Sequence, residues 1–249
     1  MSTVIEVAEV GVRFGGVQAL SGVSLAVRRG GTCGVIGPNG AGKTTLFDVV
    51  TGLRRPTTGT VRLDGRDVTG TGAVRRSRLG LRRTFQRPQV FGRLTVLDNV
   101  LAAAEWHGGG GGLAADLVAW PARRRLERER RERAAAVLDR CGIGDLRDAH
   151  AADLPIGQRR MVELARAIVD EPAVLLLDEP TSGLDAEQAA LFAAVVRDLE
   201  TTVLLVEHDV GFVMAACERV VVLDLGKVIA DGEPARIRED PVVRAAYLG

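Results

Sequence analysis

Hydrophobic and polar positions change their period several times along the chain. Residues 4–28 alternate weakly between apolar and polar and are broken by Gly11, Gly15, Gly16 and Gly22, which predicts short antiparallel strands. Thr32–Ile36 is a short apolar run ending at Gly37, and a helical pattern opens at Lys43. The first unit is therefore strand, glycine loop, helix. Gly59–Leu63 predicts another strand, closed by an Asp64-Gly65 turn. From about Thr95 to Val169 helix formers dominate, interrupted at Gly108–Gly112 and at Trp120-Pro121. The five glycines read as a flexible loop.

The α/β rhythm returns at Ala173–Leu177, an apolar run that predicts a buried strand. A helix is expected over Ala186–Leu199, with Asp185 and Gln188 spaced as a capping box and Leu191, Val195 and Leu199 on one face. Thr202–Val206 predicts a strand, Val210–Cys217 a helix and Val220–Leu223 a strand, after which Leu225-Gly226 turns the chain into Lys227–Ala230. No internal repeat is visible. The plan is a single α/β domain over residues 1–249. Its core spans 1–87 and 170–249 with antiparallel strands at its start, and a helical subdomain over 88–169 is inserted in the middle.

Composition narrows the function. Apolar residues make up 46% of the 249 positions and charged ones 26%, so the chain can bury a full core. Its 33 basic and 32 acidic residues nearly cancel, which disfavours a nucleic-acid binder. The longest stretch free of charge, Phe14–Val27, is 14 residues, too short to span a bilayer. Met1–Val10 carries two Glu and no basic region, unlike a secretory signal. Cys33, Cys141 and Cys217 are widely spaced, as expected of buried free thiols in a reducing compartment. Arg123–Arg133 holds seven Arg and three Glu, which read as a solvated helix with i,i+4 pairs such as Glu127 and Arg131; a phosphate or lipid-headgroup patch is the alternative.

Gly37-Pro38-Asn39-Gly40-Ala41-Gly42-Lys43-Thr44 fits G-x-x-x-x-G-K-[ST] between a strand and a helix, the context a phosphate-binding loop requires. Its glycines let backbone N–H groups point inward, and the helix N-terminus adds positive potential. Lys43 supplies a point charge for the β- and γ-phosphates of a nucleoside triphosphate, and the Thr44 hydroxyl a ligand for Mg²⁺. Only two of the 33 basic residues are Lys, and a planar Arg fork would suit this narrow position poorly. Val174–Leu177 then leads into Asp178 and Glu179. Asp178 can hold Mg²⁺, and Glu179 can accept a proton from an attacking water. Loop and acidic pair together read as nucleoside triphosphate hydrolysis at the carboxyl ends of parallel strands, a P-loop NTPase core.

Further elements in fixed order resemble the nucleotide-binding subunit of ATP-binding-cassette (ABC) transporters, along nearly the whole chain. The resemblance makes Gln86, in Arg83-Thr84-Phe85-Gln86, the glutamine that touches Mg²⁺ and the membrane-facing coupling surface. It makes Leu154-Pro155-Ile156-Gly157-Gln158 the family signature, Ser182-Gly183-Leu184-Asp185 the D-loop and His208 the switch histidine that contacts the γ-phosphate. Phe14 stands where the family places an aromatic against adenine, and Thr45 closes the phosphate loop. Pro155 and Ile156 depart from the family's Ser and Gly, removing a hydroxyl that would meet the γ-phosphate.

A finer resemblance is to ATPase subunits of branched-chain amino-acid importers, carried by Arg13-Phe14-Gly15-Gly16, the insertion after Gln86 and the ending Ala246-Tyr247-Leu248-Gly249. Urea and short-amide importers share these features, and a soluble non-transport ABC ATPase is the further alternative. The resemblance implies a RecA-like core and ATP hydrolysis between two cassettes, identical or paralogous. Leu154, Gly157 and Gln158 of one chain would meet the phosphate loop of the other. It also implies permease partners and a place at the inner face of the cell membrane. Val90 and Phe91, after Gln86, read as the permease-docking loop or, alternatively, as a plug in the subdomain's own core.

Overall fold

The computed structural model describes residues 2–104 and 120–248, and the glycine run at 108–112 lies outside them. The chain divides into two compact units, one made of Met1–Gln86, Pro172–Ser182 and Val196–Gly249, the other of Arg87–Glu171 and Gly183–Val195.

In the first unit, β1 (Thr3–Phe14) and β2 (Val17–Arg28) are each 12 residues long. The short strands expected from the glycines are thus corrected. The ladder shifts register between Val7 and Val12 and absorbs Gly11 as an irregularity without ending the strand. With β4 (Thr58–Leu63) and β5 (Arg66–Asp67) they form an antiparallel sheet in the order β2-β1-β4-β5. Asp64 and Gly65 have φ of 49° and 74°, the paired positive values that a two-residue hairpin turn needs.

The second sheet of this unit runs β10-β9-β3-β8-β7-β6. Its strands are β3 (Thr32–Ile36), β6 (Leu81–Arg83), β7 (Val174–Asp178), β8 (Thr202–Val206), β9 (Arg219–Asp224) and β10 (Lys227–Gly232). All pairs are parallel except β9 with β10, which the Leu225-Gly226 turn joins. Every residue of β3, β7 and β8 is buried, which is why these strands are continuous apolar runs in sequence.

Helix α1 (Lys43–Thr51) buries Leu46, Phe47, Val49 and Val50. Its last carbonyls are capped by Arg76 of α2 (Ala73–Arg78). This fully buried guanidinium donates to the carbonyls of Val49 and Val50 at 2.7 Å, Val68 at 2.6 Å and Thr71 at 2.9 Å. Burial lowers its pKa to about 10, so it stays charged at neutral pH.

In the second unit, α3 (Val96–Ala104), α4 (Trp120–Arg140) and α5 (Ile156–Ile168) form the helical body. Helix α4 carries the Arg125–Glu129 and Glu127–Arg131 pairs at 2.9 and 3.6 Å, all four side chains exposed, in keeping with a solvated helix. Helix α6 (Ala186–Arg197) opens with Gln188 N donating to Asp185 Oδ1 at 2.8 Å and Asp185 N donating to Gln188 Oε1 at 3.3 Å, the expected capping box.

Two expectations about α6 are corrected. Its buried face carries Phe192, Val195 and Val196, while Leu191 is 37% exposed and Leu199 lies beyond the helix end. Gly183–Val195 also clusters with the helical unit, not with the α/β core. The reason is close packing. A Cβ on Gly142 would stand 2.7 Å from Leu191 Cδ2, and one on Gly157 2.2 Å from Gln188 Oε1.

Among the described residues the remaining α-helices are α7 (Val210–Ala216), α8 (Pro234–Glu239) and α9 (Pro241–Leu248). Among the described residues no helix is long and apolar enough to cross a membrane.

Candidate active site

Strand register brings the candidate residues to the carboxyl-terminal end of the parallel sheet. Val35 of β3 lies opposite Val206 of β8, and Val206 lies opposite Asp178 of β7. The chain leaving β3 enters Gly37–Lys43, β7 ends in Asp178 and Glu179, and β8 leads into Glu207 and His208. Three segments far apart in sequence therefore emerge side by side at strand carboxyl ends.

The loop before α1 has the backbone that its glycines permit. Gly37, Gly40 and Gly42 have φ of 152°, 82° and 103°. At Gly37 a Cβ would stand 2.0 Å from the Leu223 carbonyl oxygen, so no side chain fits, whereas Gly40 faces open space. Asn39 and Thr44 are exposed, Pro38 and Thr45 half-buried, and Ala41 buried. Lys43 is buried, and its Nζ donates to the Gly37 and Pro38 carbonyls at 2.6 and 3.0 Å. Burial lowers its pKa, and the negative charge of Glu179 opposes that shift. The ammonium is thus held across the loop, within the field of the carboxylate assigned as base.

The two carboxylates are held differently. Asp178 is buried; its Oδ2 accepts from Arg83 Nη2 at 2.7 Å and its N–H donates to Thr84 Oγ1 at 3.3 Å. Glu179 is half-buried with φ of 47°, a left-handed conformation costly for a residue with a long side chain. Its N–H is anchored on the Val206 carbonyl at 2.9 Å, and its Oε2 accepts from Gln86 Nε2 at 2.8 Å. The segment leaving β6 therefore reaches both acids.

His208 is exposed, with its ring Nδ1 3.4 Å from Glu207 Oε2. Glu207 is fully buried and accepts from Thr181 N and Oγ1 at 2.8 and 2.5 Å, His208 N at 2.7 Å and Asp209 N at 3.1 Å. It ties the loop after Glu179 to the histidine. In the sequence Glu207 is signalled only as an acid between a buried strand and His208. Nor does the sequence single out Arg83, a basic residue closing β6, or Arg54, whose guanidinium lies 4.2 Å over the Phe14 ring. Phe14 is 42% exposed at the end of β1.

In the second unit, Pro155 stands at the N-cap of α5 with φ −56°, ψ 158° and no side-chain cap, a place where Ser would cap the helix. Leu154 and Gly157 are buried, Gln158 is half-buried, Ile156 is 54% exposed and Asp185 is exposed at the start of α6. Phe91 is 52% exposed, more open than a plug in the subdomain's core would be. Its backbone N–H and carbonyl are pinned by the buried Asn99 at 2.8 and 3.0 Å, and Arg166 lies 4.7 Å from its ring.

The ABC transporter family pattern matches residues 20–182, and that of the branched-chain amino acid ATP-binding cassette transporter matches residues 227–249. The high-affinity branched-chain amino acid transport ATP-binding protein BraF of Pseudomonas aeruginosa is 40% identical over 99% of this chain and 98% of its own length. The corresponding protein LivG of Salmonella typhimurium is 39% identical over 96% of this chain and 94% of its own. The ADP conformation of an ATP-binding cassette of an ABC transporter superposes with a TM-score of 0.84 at 30% identity, covering both chains fully. The chain belongs to the ABC transporter family, as an ATPase cassette similar from end to end to the ATP-binding proteins of branched-chain amino-acid transport.

Proposed function

We propose that this cassette hydrolyses ATP as one of a pair, identical or paralogous, and so drives permease subunits of a branched-chain amino-acid importer at the inner face of the cell membrane. The observation that carries the reading is the convergence of Lys43, Asp178, Glu179 and Glu207–His208 at the carboxyl ends of adjacent strands. Phosphate oxygens fit the loop, because Gly40 leaves room, α1 presents its N-terminus and Lys43 provides charge. Phe14 faces adenine, with Arg54 on its ring. The Thr44 hydroxyl and Asp178 carboxylate, with the Gln86 amide oxygen, form a hard oxygen donor set of the kind Mg²⁺ takes. Bound there, that ion would neutralise charge on the transferred phosphoryl group.

Glu179 accepts a proton from the attacking water, oriented by Gln86, and His208 contacts the γ-phosphate. Across the pair, Leu154, Gly157 and Gln158 face the partner's phosphates, with the uncapped N–H groups of α5 standing in for the missing serine hydroxyl, and Asp185 faces the same junction. The likeness to BraF and LivG over nearly the whole chain supports the branched-chain amino-acid assignment. The test is reconstitution with its co-purified permeases in vesicles. A branched-chain amino acid delivered by its binding protein should stimulate phosphate release. Stimulation by urea or a short amide instead would replace the substrate, and co-purification without permeases would overturn transport itself.

A further inference from the structure

Arg83 links the two elements that carry the proposed metal ligands. Its Nη1 donates to Asp48 Oδ1 at 2.8 Å and its Nη2 to Asp178 Oδ2 at 2.7 Å, with the guanidinium side chain only 8% exposed. Asp48 stands four residues after Thr44 on α1, and residues at that spacing share one helix face. Asp178 ends β7. The same guanidinium lies 5.6 Å from the Phe47 ring and 5.3 Å from the Phe85 ring, which leaves it little freedom to swing away. Arg83 uses Oδ2 of Asp178, so its bond is compatible with a metal contact at Oδ1.

Resting on the metal-site reading above, we infer that Arg83 is a positioning residue that clips α1 to β7 and thereby sets the spacing between Thr44 and Asp178 for Mg²⁺. A planar fork satisfies two carboxylates at once, whereas the single ammonium of a Lys holds one firmly and leaves the other loose. Arg83 also belongs to the segment that delivers Thr84 to Asp178 and Gln86 to Glu179. The clip therefore fixes the metal ligand and the base from a common support.

The test measures ADP affinity with a fluorescent analogue, with and without Mg²⁺, beside the Mg²⁺ dependence of phosphate release. In Arg83→Lys, metal-free affinity should stay within about twofold. The extra affinity conferred by Mg²⁺ should fall about tenfold, and half-saturating Mg²⁺ for hydrolysis should rise similarly, the scale of loss when a metal ligand's supporting bond goes. Asp48→Asn, which removes the anchor on α1 alone, should shift Mg²⁺ dependence in the same direction. Unchanged Mg²⁺ dependence in Arg83→Lys, or a drop in turnover equal at every Mg²⁺ concentration, overturns the clip. Asp178→Asn separates the two readings. If it too leaves Mg²⁺ dependence unchanged, the metal site itself is misassigned; if it alone abolishes that dependence, only the clip fails.

Discussion

Gln86 Nε2 donates to Glu179 Oε2 at 2.8 Å, so the glutamine that closes the first core segment is bonded directly to the carboxylate assigned as base. Glu179 has little freedom of its own, since its backbone is held at φ 47° and its N–H by Val206. Shifting the Gln86 segment therefore disturbs the base before any other group. Gln86→Ala should lower turnover roughly 10-fold or more, on the scale of a lost orienting partner in general-base catalysis, with metal-free ATP affinity within threefold. Phosphate release beside equilibrium ATP binding measures both.

Glu207 predicts a different failure. Its carboxylate serves four donors in a fully buried position. Glu207→Ala leaves those donors without a partner, at about 1–3 kcal/mol for each one that water cannot reach. We expect a loss of ~2–5 kcal/mol in urea denaturation, together with weaker hydrolysis, because His208 loses its support. A variant as stable as the wild type would show that water replaces the carboxylate.

For Phe91, the outward-facing ring and the Asn99 clamp on its backbone predict that Phe91→Ala barely changes stability. The melting temperature should shift by less than the equivalent of ~1 kcal/mol, against ~3–5 kcal/mol for a truncated core aromatic. Assembly with the permeases should weaken. A large fall in melting temperature with assembly of the folded fraction intact would contradict docking through this loop.

The three thiols are buried, and burial pushes Cys33 and Cys141 up to about 12 and Cys217 higher still. The thiolate is the reactive form, so a chromogenic disulfide reagent at pH 8 should label them slowly in the native protein and fast in denaturant. The sign of the pH effect follows. Below the ordinary value of 9.0 both states keep these protons and the contribution to stability is fully present. As pH rises from there toward about 12, the unfolded chain releases protons that the native one retains, and stability falls. Denaturation midpoints at pH 8 and pH 10 measure it.

What was legible in the sequence was what local spacing encodes. The glycine loop, the acidic pair after an apolar strand, the Asp185–Gln188 box and both hairpin turns depend on residues within a few positions of one another. Arg83 and Glu207 escaped because their partners are set by strand register. Nothing near Arg83 in sequence announces Asp48 or Asp178, and Thr181 meets Glu207 only once β7 lies beside β8. Glycines in β1 suggested breaks because a bulged antiparallel ladder and a strand end look alike in one dimension. On α6 Val195 is buried as its spacing implies, whereas Phe192 and not Leu191 is covered, since both are apolar and only packing decides between them.

The central claim, hydrolysis with Glu179 as base, is tested most directly in Glu179→Gln. The account predicts ATP binding within threefold of wild type, phosphate release lowered ~100-fold or more, and accumulation of an ATP-bound pair, because hydrolysis is what separates the two cassettes. Phosphate release at the wild-type rate in that variant, with binding intact, would contradict it and move the base to another group, His208 first.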